Sequence, residues 1–163
     1  MARLVLTDAS PLIGLAVVGG VPWLEALFGE VWLPAEVERE VLTGPVERGQ
    51  AAVRSAIAAG WLKVCPGTPS EPELPDLDEG EAACIRIALA YGAEALLLMD
   101  ERAGRTLAVE HGLRVAGTAA VIGLAKSRGL IPSAKQVFER LHASDFRISA
   151  EVIRTVLQRV GES

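Results

Sequence analysis

At 163 residues the chain has the length of one domain and enough residues to bury a full core. Half of its residues are apolar and 23% are charged, which excludes a disordered chain. The net charge of −5 and pI near 5.1 argue against a broad basic groove for nucleic acid. They fit a chain whose carboxylates hold cations, or one with a basic partner.

In chain order, Leu4-Val5-Leu6 is a short apolar run ending at Thr7-Asp8, which predicts a buried strand. Ser10-Pro11 predicts an N-cap and a first helical proline, with a helix through Leu12, Ile13 and Leu15 to Gly19-Gly20. Pro22 opens a short helix carrying Trp23, Leu24, Leu27 and Phe28. Val31-Trp32-Leu33 is a second strand, and Pro34 opens a helix ended by Thr43-Gly44-Pro45. Residues 50–59 form another helix, and Trp61 to Val64 a third strand. Pro66 to Leu77 is rich in Pro, Ser, Thr and Glu and reads as a surface loop.

Asp78 starts the next helix, which runs to Tyr91-Gly92. Ala95 to Met99 is the clearest buried strand and ends at Asp100. A helix over 101–111, a strand at Leu113 to Val115, and a helix from Gly117-Thr118 to Arg128 follow. From Pro132 the chain is helical, with a break near 145–149. The alternation predicts a single α/β domain over 1–163, a parallel sheet covered on both faces, with helices 132–160 appended. Sites in such sheets form at the carboxyl ends of strands.

Four acids stand at chemically informative places. Asp8 closes the first strand, where it is either a metal carboxylate or a helix cap; Ser10 is the better cap. Asp100 closes the most apolar strand and is either a second metal carboxylate or the cap of the helix at Glu101. Glu101 itself either joins the metal or complements a helix dipole. Glu40 borders the Val37/Val41 stripe, whereas Glu38 and Arg39 point away. Glu81 pairs with Asp78 as a capping box, yet shares a face with Ile85 and Leu89 that turns toward the sheet. Together these acids suit Mg²⁺ or Mn²⁺, which lower the pKa of bound water and stabilise charge on a phosphodiester.

Arg102 and Arg105, one turn apart beyond Asp100, are either phosphate contacts or partners of nearby acids. Ser10 and Thr118 are helix caps or polar contacts to the same site. Cys65 and Cys84 have no zinc spacing, and Cys84 reads as a core thiol. The two histidines have no triad context. No apolar stretch approaches about 18 uninterrupted residues, so the expectation is a cytoplasmic protein with no membrane segment. The apolar group Trp23, Leu24, Leu27 and Phe28 suggests a homodimer face, with burial in the monomer core as the alternative.

The segments LTDASPLIGL, LPAEVEREV, LDEGEAACIRIA, LLLMDERAGR and GLRVAGTAAVIGLAKSRGLI, in this order and spacing, resemble the PIN domain family, in particular its toxin-like nucleic-acid-binding branch. The resemblance implies a three-layer α/β/α fold with about five parallel strands and metal-dependent endoribonuclease activity. It carries the family's acids onto Asp8, Glu40, Glu81 and Asp100, and implies RNA as substrate, a small antitoxin partner and self-association. Met99 stands where many relatives have a small hydroxyl residue, and Glu101 where many have a second aspartate. Two rivals remain. One is a receiver-like phosphoacceptor using Asp8, Asp100, Thr118 and Lys126. The other is a non-catalytic PIN fold acting through a protein partner.

Overall fold

The computed structural model describes residues 4–44, 47–92 and 94–162. Its centre is a five-stranded parallel sheet of β1 (Leu4–Thr7), β2 (Val31–Leu33), β3 (Leu62–Val64), β4 (Ala95–Leu98) and β5 (Arg114–Ala116), in the order β3-β2-β1-β4-β5. All four residues of β1 are buried, as expected for a central strand covered on both faces. β1 pairs β4 from Leu4 with Ala95 to Thr7 with Leu98. Helices flank the sheet in three α/β/α layers.

These helices are α1 (Ala9–Val17), α2 (Val21–Phe28), α3 (Ala35–Thr43), α4 (Glu47–Ala59), α5 (Glu79–Tyr91), α6 (Arg102–Glu110), α7 (Thr118–Ser127), α8 (Ala134–His142) and α9 (Ala150–Arg159). The core runs through Leu6, Leu12, Leu15, Leu33, Ile85, Leu97 and Ile122, all shielded from solvent. Each such side chain contributes roughly 1.5–3 kcal/mol by leaving water. The appended helices join this core. Val137, Phe138 and Leu141 of α8 are buried, and α9 lies on α7 with Val156 over Gly123.

Two expectations need correction, and a third is narrowed. Asp8, not Ser10, occupies the N-cap position of α1. The helix begins at Ala9 because β1 runs straight into it, and Pro11 falls within the first turn, where a missing N–H costs nothing. Leu24 and Leu27 are buried in the single chain, while Trp23 and Phe28 pack against the core from its edge. Leu24 and Leu27 thus follow the alternative reading, burial in the monomer core. Glu38 is half-buried rather than turned fully to solvent. Pro45, read as a helix stop, lies outside the described residues.

The strand order also settles the receiver-like reading. Receiver folds run 2-1-3-4-5, whereas here β1 lies between β2 and β4. Lys126 sits in the last turn of α7, donating to the Pro132 carbonyl at 2.9 Å. Among the described residues no single helix is long and apolar enough to cross a membrane. The bent pair α1–α2 passes that test only as two segments at 114°, and its Leu12, Leu15 and Leu24 are fully buried in the core.

Candidate active site

The chain leaves β1 for β2 on one side and reaches β4 on the other, so the crevice above β1 and β4 is the point where the sheet's winding reverses. Asp8 lies there. Its backbone N–H continues the ladder to the Leu98 carbonyl at 2.9 Å. The residue is only 5% exposed, with the Ala9 amide beside its carboxylate. Asp100 follows the neighbouring strand, so both acids stand at the same edge of the sheet.

α5 delivers three more contributors. Asp78 is its N-cap and accepts from the Glu81 amide at 2.8 Å, while the Asp78 amide donates to Glu81 Oε1 at 3.3 Å. The capping box is therefore formed, and Glu81 serves two ends with two oxygens. Oε1 closes the cap; Oε2 is buried and has no hydrogen-bond partner among the described residues. Glu81 is 4% exposed, although such a carboxylate ordinarily demands a partner. Gly80 lets α3 and β1 approach this turn. A Cβ there would stand 3.2 Å from Asp8 Oδ1, 3.2 Å from Val37 Cγ2 and 3.4 Å from Glu40 Oε1. Glu40, largely exposed along its stem, thus brings its carboxylate to the spot that Asp8 reaches from the sheet.

Gly104 of α6 is the matching gap on the other side of Glu81. A Cβ there would meet Met99 Sδ at 2.7 Å and Glu81 Oε2 at 2.8 Å. Met99 is fully buried and helps to wall off the orphan oxygen.

Asp100 does not cap the helix that follows it. Its Oδ1 accepts from the Thr118 amide at 2.8 Å and its Oδ2 from the Thr118 hydroxyl at 2.7 Å, so it caps α7 across the sheet edge instead. Gly117, not Thr118, is the N-cap position of α7, and Thr118 is fully buried. Thr118 therefore reaches the site, against the simpler reading of it as a local cap. Arg105 Nη1 donates to the Met99 carbonyl at 2.9 Å and, with Asp100 Oδ1, flanks Gly117. Arg102 and Glu101 are exposed. Among the described residues no ion pair joins Arg102 or Arg105 to an acid, and no contact ties Glu101 to the other carboxylates. Ser10 is half-buried in the first turn of α1.

The electrostatics follow from burial and crowding. Burial pushes the Asp8 carboxyl up to about 7, and repulsion from Asp78, Glu40 and Asp100 adds to this; the Ala9 amide works against them. Burial also raises Glu81 to about 7, aided by Asp78 and Asp8. Glu40 is raised by burial and by Asp78. Cys84 is fully buried, its Sγ 3.6 Å from the Thr7 carbonyl, and burial holds its thiol protonated. It is a core thiol, as its setting among alanines suggests.

Asp78 reads in the sequence as the cap of α5, and it is. Its charge nevertheless bears on Asp8, Glu40 and Glu81 alike. The signal available was the D-x-G-E string: only glycine between the two acids leaves room for carboxylates from β1 and α3. A cleft of about 750 Å³ opens beside Asp100 and extends to α9. Arg147 and Arg159 on its walls carried no sequence signal, because their distance along the chain hides their proximity to Asp100.

A hard divalent cation suits this donor set: carboxylate oxygens only, one of them buried and unpartnered. In the present side-chain arrangement, no group of three acids among the described residues is already spaced as a ligand set. Asp100 has both oxygens engaged by Thr118. The acids best disposed to hold a cation are Asp8, Glu40 and Asp78 around Gly80, with Glu81 behind them.

No curated protein compared with the chain matches it. A family model for the PIN domain matches residues 4–162. PIN domains are generally nucleases and usually use divalent metals, the class of chemistry that clustered carboxylates serve. With the match spanning nearly the whole length, the chain belongs to the PIN domain family.

Proposed function

We propose that this protein is a metal-dependent endoribonuclease whose working groups are Asp8, Glu40, Glu81 and Asp100, assisted by Asp78. The observation that carries the reading is the convergence of acids from β1, α3 and α5 on Gly80, at the edge of the sheet where Asp100 also stands. A bound Mg²⁺ or Mn²⁺ supplies a water of lowered pKa and positive charge against the phosphate.

The chain's own residues do the rest. Asp8 and Glu40 offer oxygens to the cation from opposite elements. Glu81, its Oε1 fixed by the Asp78 amide, presents Oε2 in a dry setting where its attraction for a cation is strengthened. Thr118 holds Asp100 in one orientation at the strand end. Arg105, anchored on the Met99 carbonyl, is positioned to meet a phosphate beside Asp100, and Arg102 extends that contact outward. Ser10, in the first turn of α1, and Glu101, at the N-cap of α6, make no contact with the acids among the described residues. By resemblance, RNA is the substrate and a small antitoxin the partner of a toxin–antitoxin pair.

A second reading has one observation in its favour. Asp100 has both oxygens engaged by Thr118, as a non-catalytic PIN-fold binding module would also show. Incubation with single-stranded and structured RNAs, with Mn²⁺ and with EDTA, separates the two. Metal-dependent cleavage that Asp8→Asn abolishes supports the nuclease. Failure of any RNA to be cut, with the wild type and Asp8→Asn alike in every assay, supports the binding module.

A further inference from the structure

The cleft beside Asp100 has a far wall, on the C-terminal segment, that the nuclease reading does not use. It is bounded on one side by Arg102 and Arg105 and on the other by Arg147 and Arg159, with Ile148 and Val152 between them. In a chain of net charge −5, four arginines there outnumber the acids of the lining, Asp100 and Glu151. The arginines are held or available. Arg105 is anchored on the Met99 carbonyl, and Arg147 uses a single nitrogen, Nη1, on the carbonyls of His142 and Ser144. Arg102 and Arg159 are exposed, with no ion pair among the described residues.

On α9, Glu151, Val152, Thr155, Val156 and Arg159 recur at helical spacing along the wall, a run of about 12 Å at 1.5 Å per residue. Cationic rims take phosphates; the aromatic ring of Phe146, half-buried in the lining, offers a face for an unstacked base, and Val152, 44% exposed, adds apolar contact. A duplex hides its bases and offers only its phosphates.

We propose that this cleft is the track for a single RNA strand, gripping the chain several phosphates away from the cut through Arg147 and Arg159 of the C-terminal segment. The inference rests on the nuclease reading and adds the substrate's form and its path. It makes 132–160 a substrate-binding part of the domain.

The test is fluorescence anisotropy with a labelled uridine dodecamer and a hairpin duplex, in EDTA so that nothing is cut. Arg159→Glu and Thr155→Glu are the probing variants. Arg54→Glu on α4 makes the same charge change away from the cleft. Arg147→Glu is used only if its melting curve matches the wild type, because Arg147 also closes the end of α8. Expected is dodecamer binding at least about tenfold weaker in Arg159→Glu and Thr155→Glu and unchanged in Arg54→Glu. The salt slope should be shallower by about 0.7 for the arginine lost, with the duplex bound more weakly than the dodecamer throughout.

Dodecamer affinity unchanged in Arg159→Glu and Thr155→Glu overturns the track. If the wild type still cuts RNA with Mn²⁺, the nuclease reading survives that result. Displacement of nothing by RNA but saturable binding of a labelled oligoglutamate peptide, lost in Arg159→Glu, overturns the track in favour of an acidic protein partner. Absence of both RNA binding and cleavage sinks the two readings together.

Discussion

Asp8 combines near-complete burial with three acidic neighbours, and its carboxyl is pushed up to about 7 from an unfolded value near 3.8. The sign of the consequence is fixed by linkage. The folded chain holds the extra proton between those values, so this group's contribution is fully present below about pH 4 and lost as pH rises through about 7. Glu81, also raised to about 7, acts in the same direction. In EDTA, the wild type is therefore expected to lose stability between pH 5 and pH 8, by about 3 kcal/mol from Asp8, because the slope of about 1.4 kcal/mol per pH unit acts only up to about pH 7. Asp8→Asn should remove most of that loss and be the more stable protein at pH 8. Urea midpoints at the two pH values check this. A wild type that gains stability toward pH 8, with Asp8→Asn the weaker protein, would show that the carboxylate is a structural group. Gly104 offers a second residue-scale test. Gly104→Ala drives a methyl against Met99 Sδ and Glu81 Oε2, both buried, and should cost about 1–3 kcal/mol by thermal melting. A variant as stable as the wild type would mean that α6 yields easily and that the pocket around Oε2 is loose.

The elements show what was legible in the sequence and why. Strands β1, β2 and β4 were readable as short apolar runs ended by Asp8, Pro34 and Asp100, because buried parallel strands need apolar residues on both faces. Asp78 and Glu81 were readable as a capping box, because the motif is local. The N-terminus of α1 was misplaced to Ser10 because cap propensity was weighed without the strand. The ladder bond from the Asp8 amide to Leu98 fixes where extension ends. Thr118 binding Asp100, and Gly80 making room for Asp8 and Glu40, join residues far apart in sequence, which no local pattern reports.

α9 has no buried residue, and it lies over α7 with Val156 against Gly123. Gly123→Val should lift α9 from α7 while leaving the sheet intact. Trypsin would then cut at Arg154 and Arg159 several-fold faster than in the wild type, with a nearly unchanged far-ultraviolet spectrum. Equal digestion rates would mean that α9 is held mainly elsewhere, for example by Glu162, which accepts from Ser133 Oγ at 2.7 Å and the Ala134 amide at 2.6 Å.

At the scale of the whole molecule, the net charge of −5 is not evenly spread. Acids concentrate at one end of the β1–β4 crevice and arginines along the neighbouring cleft, so the overall charge is a poor guide to the local surface. The central claim is that Asp8, Glu40, Asp78 and Glu81 form one cation-binding cluster around Gly80, with Asp100 beside it. Isothermal titration of Mn²⁺ into the metal-free protein at pH 8, where the crowded carboxyls are ionised, tests it most directly. The account predicts saturable binding, with proton release on repeating the titration at pH 6.5, and affinity at least about tenfold lower in Asp8→Asn. Equal Mn²⁺ affinity in the wild type and Asp8→Asn, or no binding to either, would contradict it.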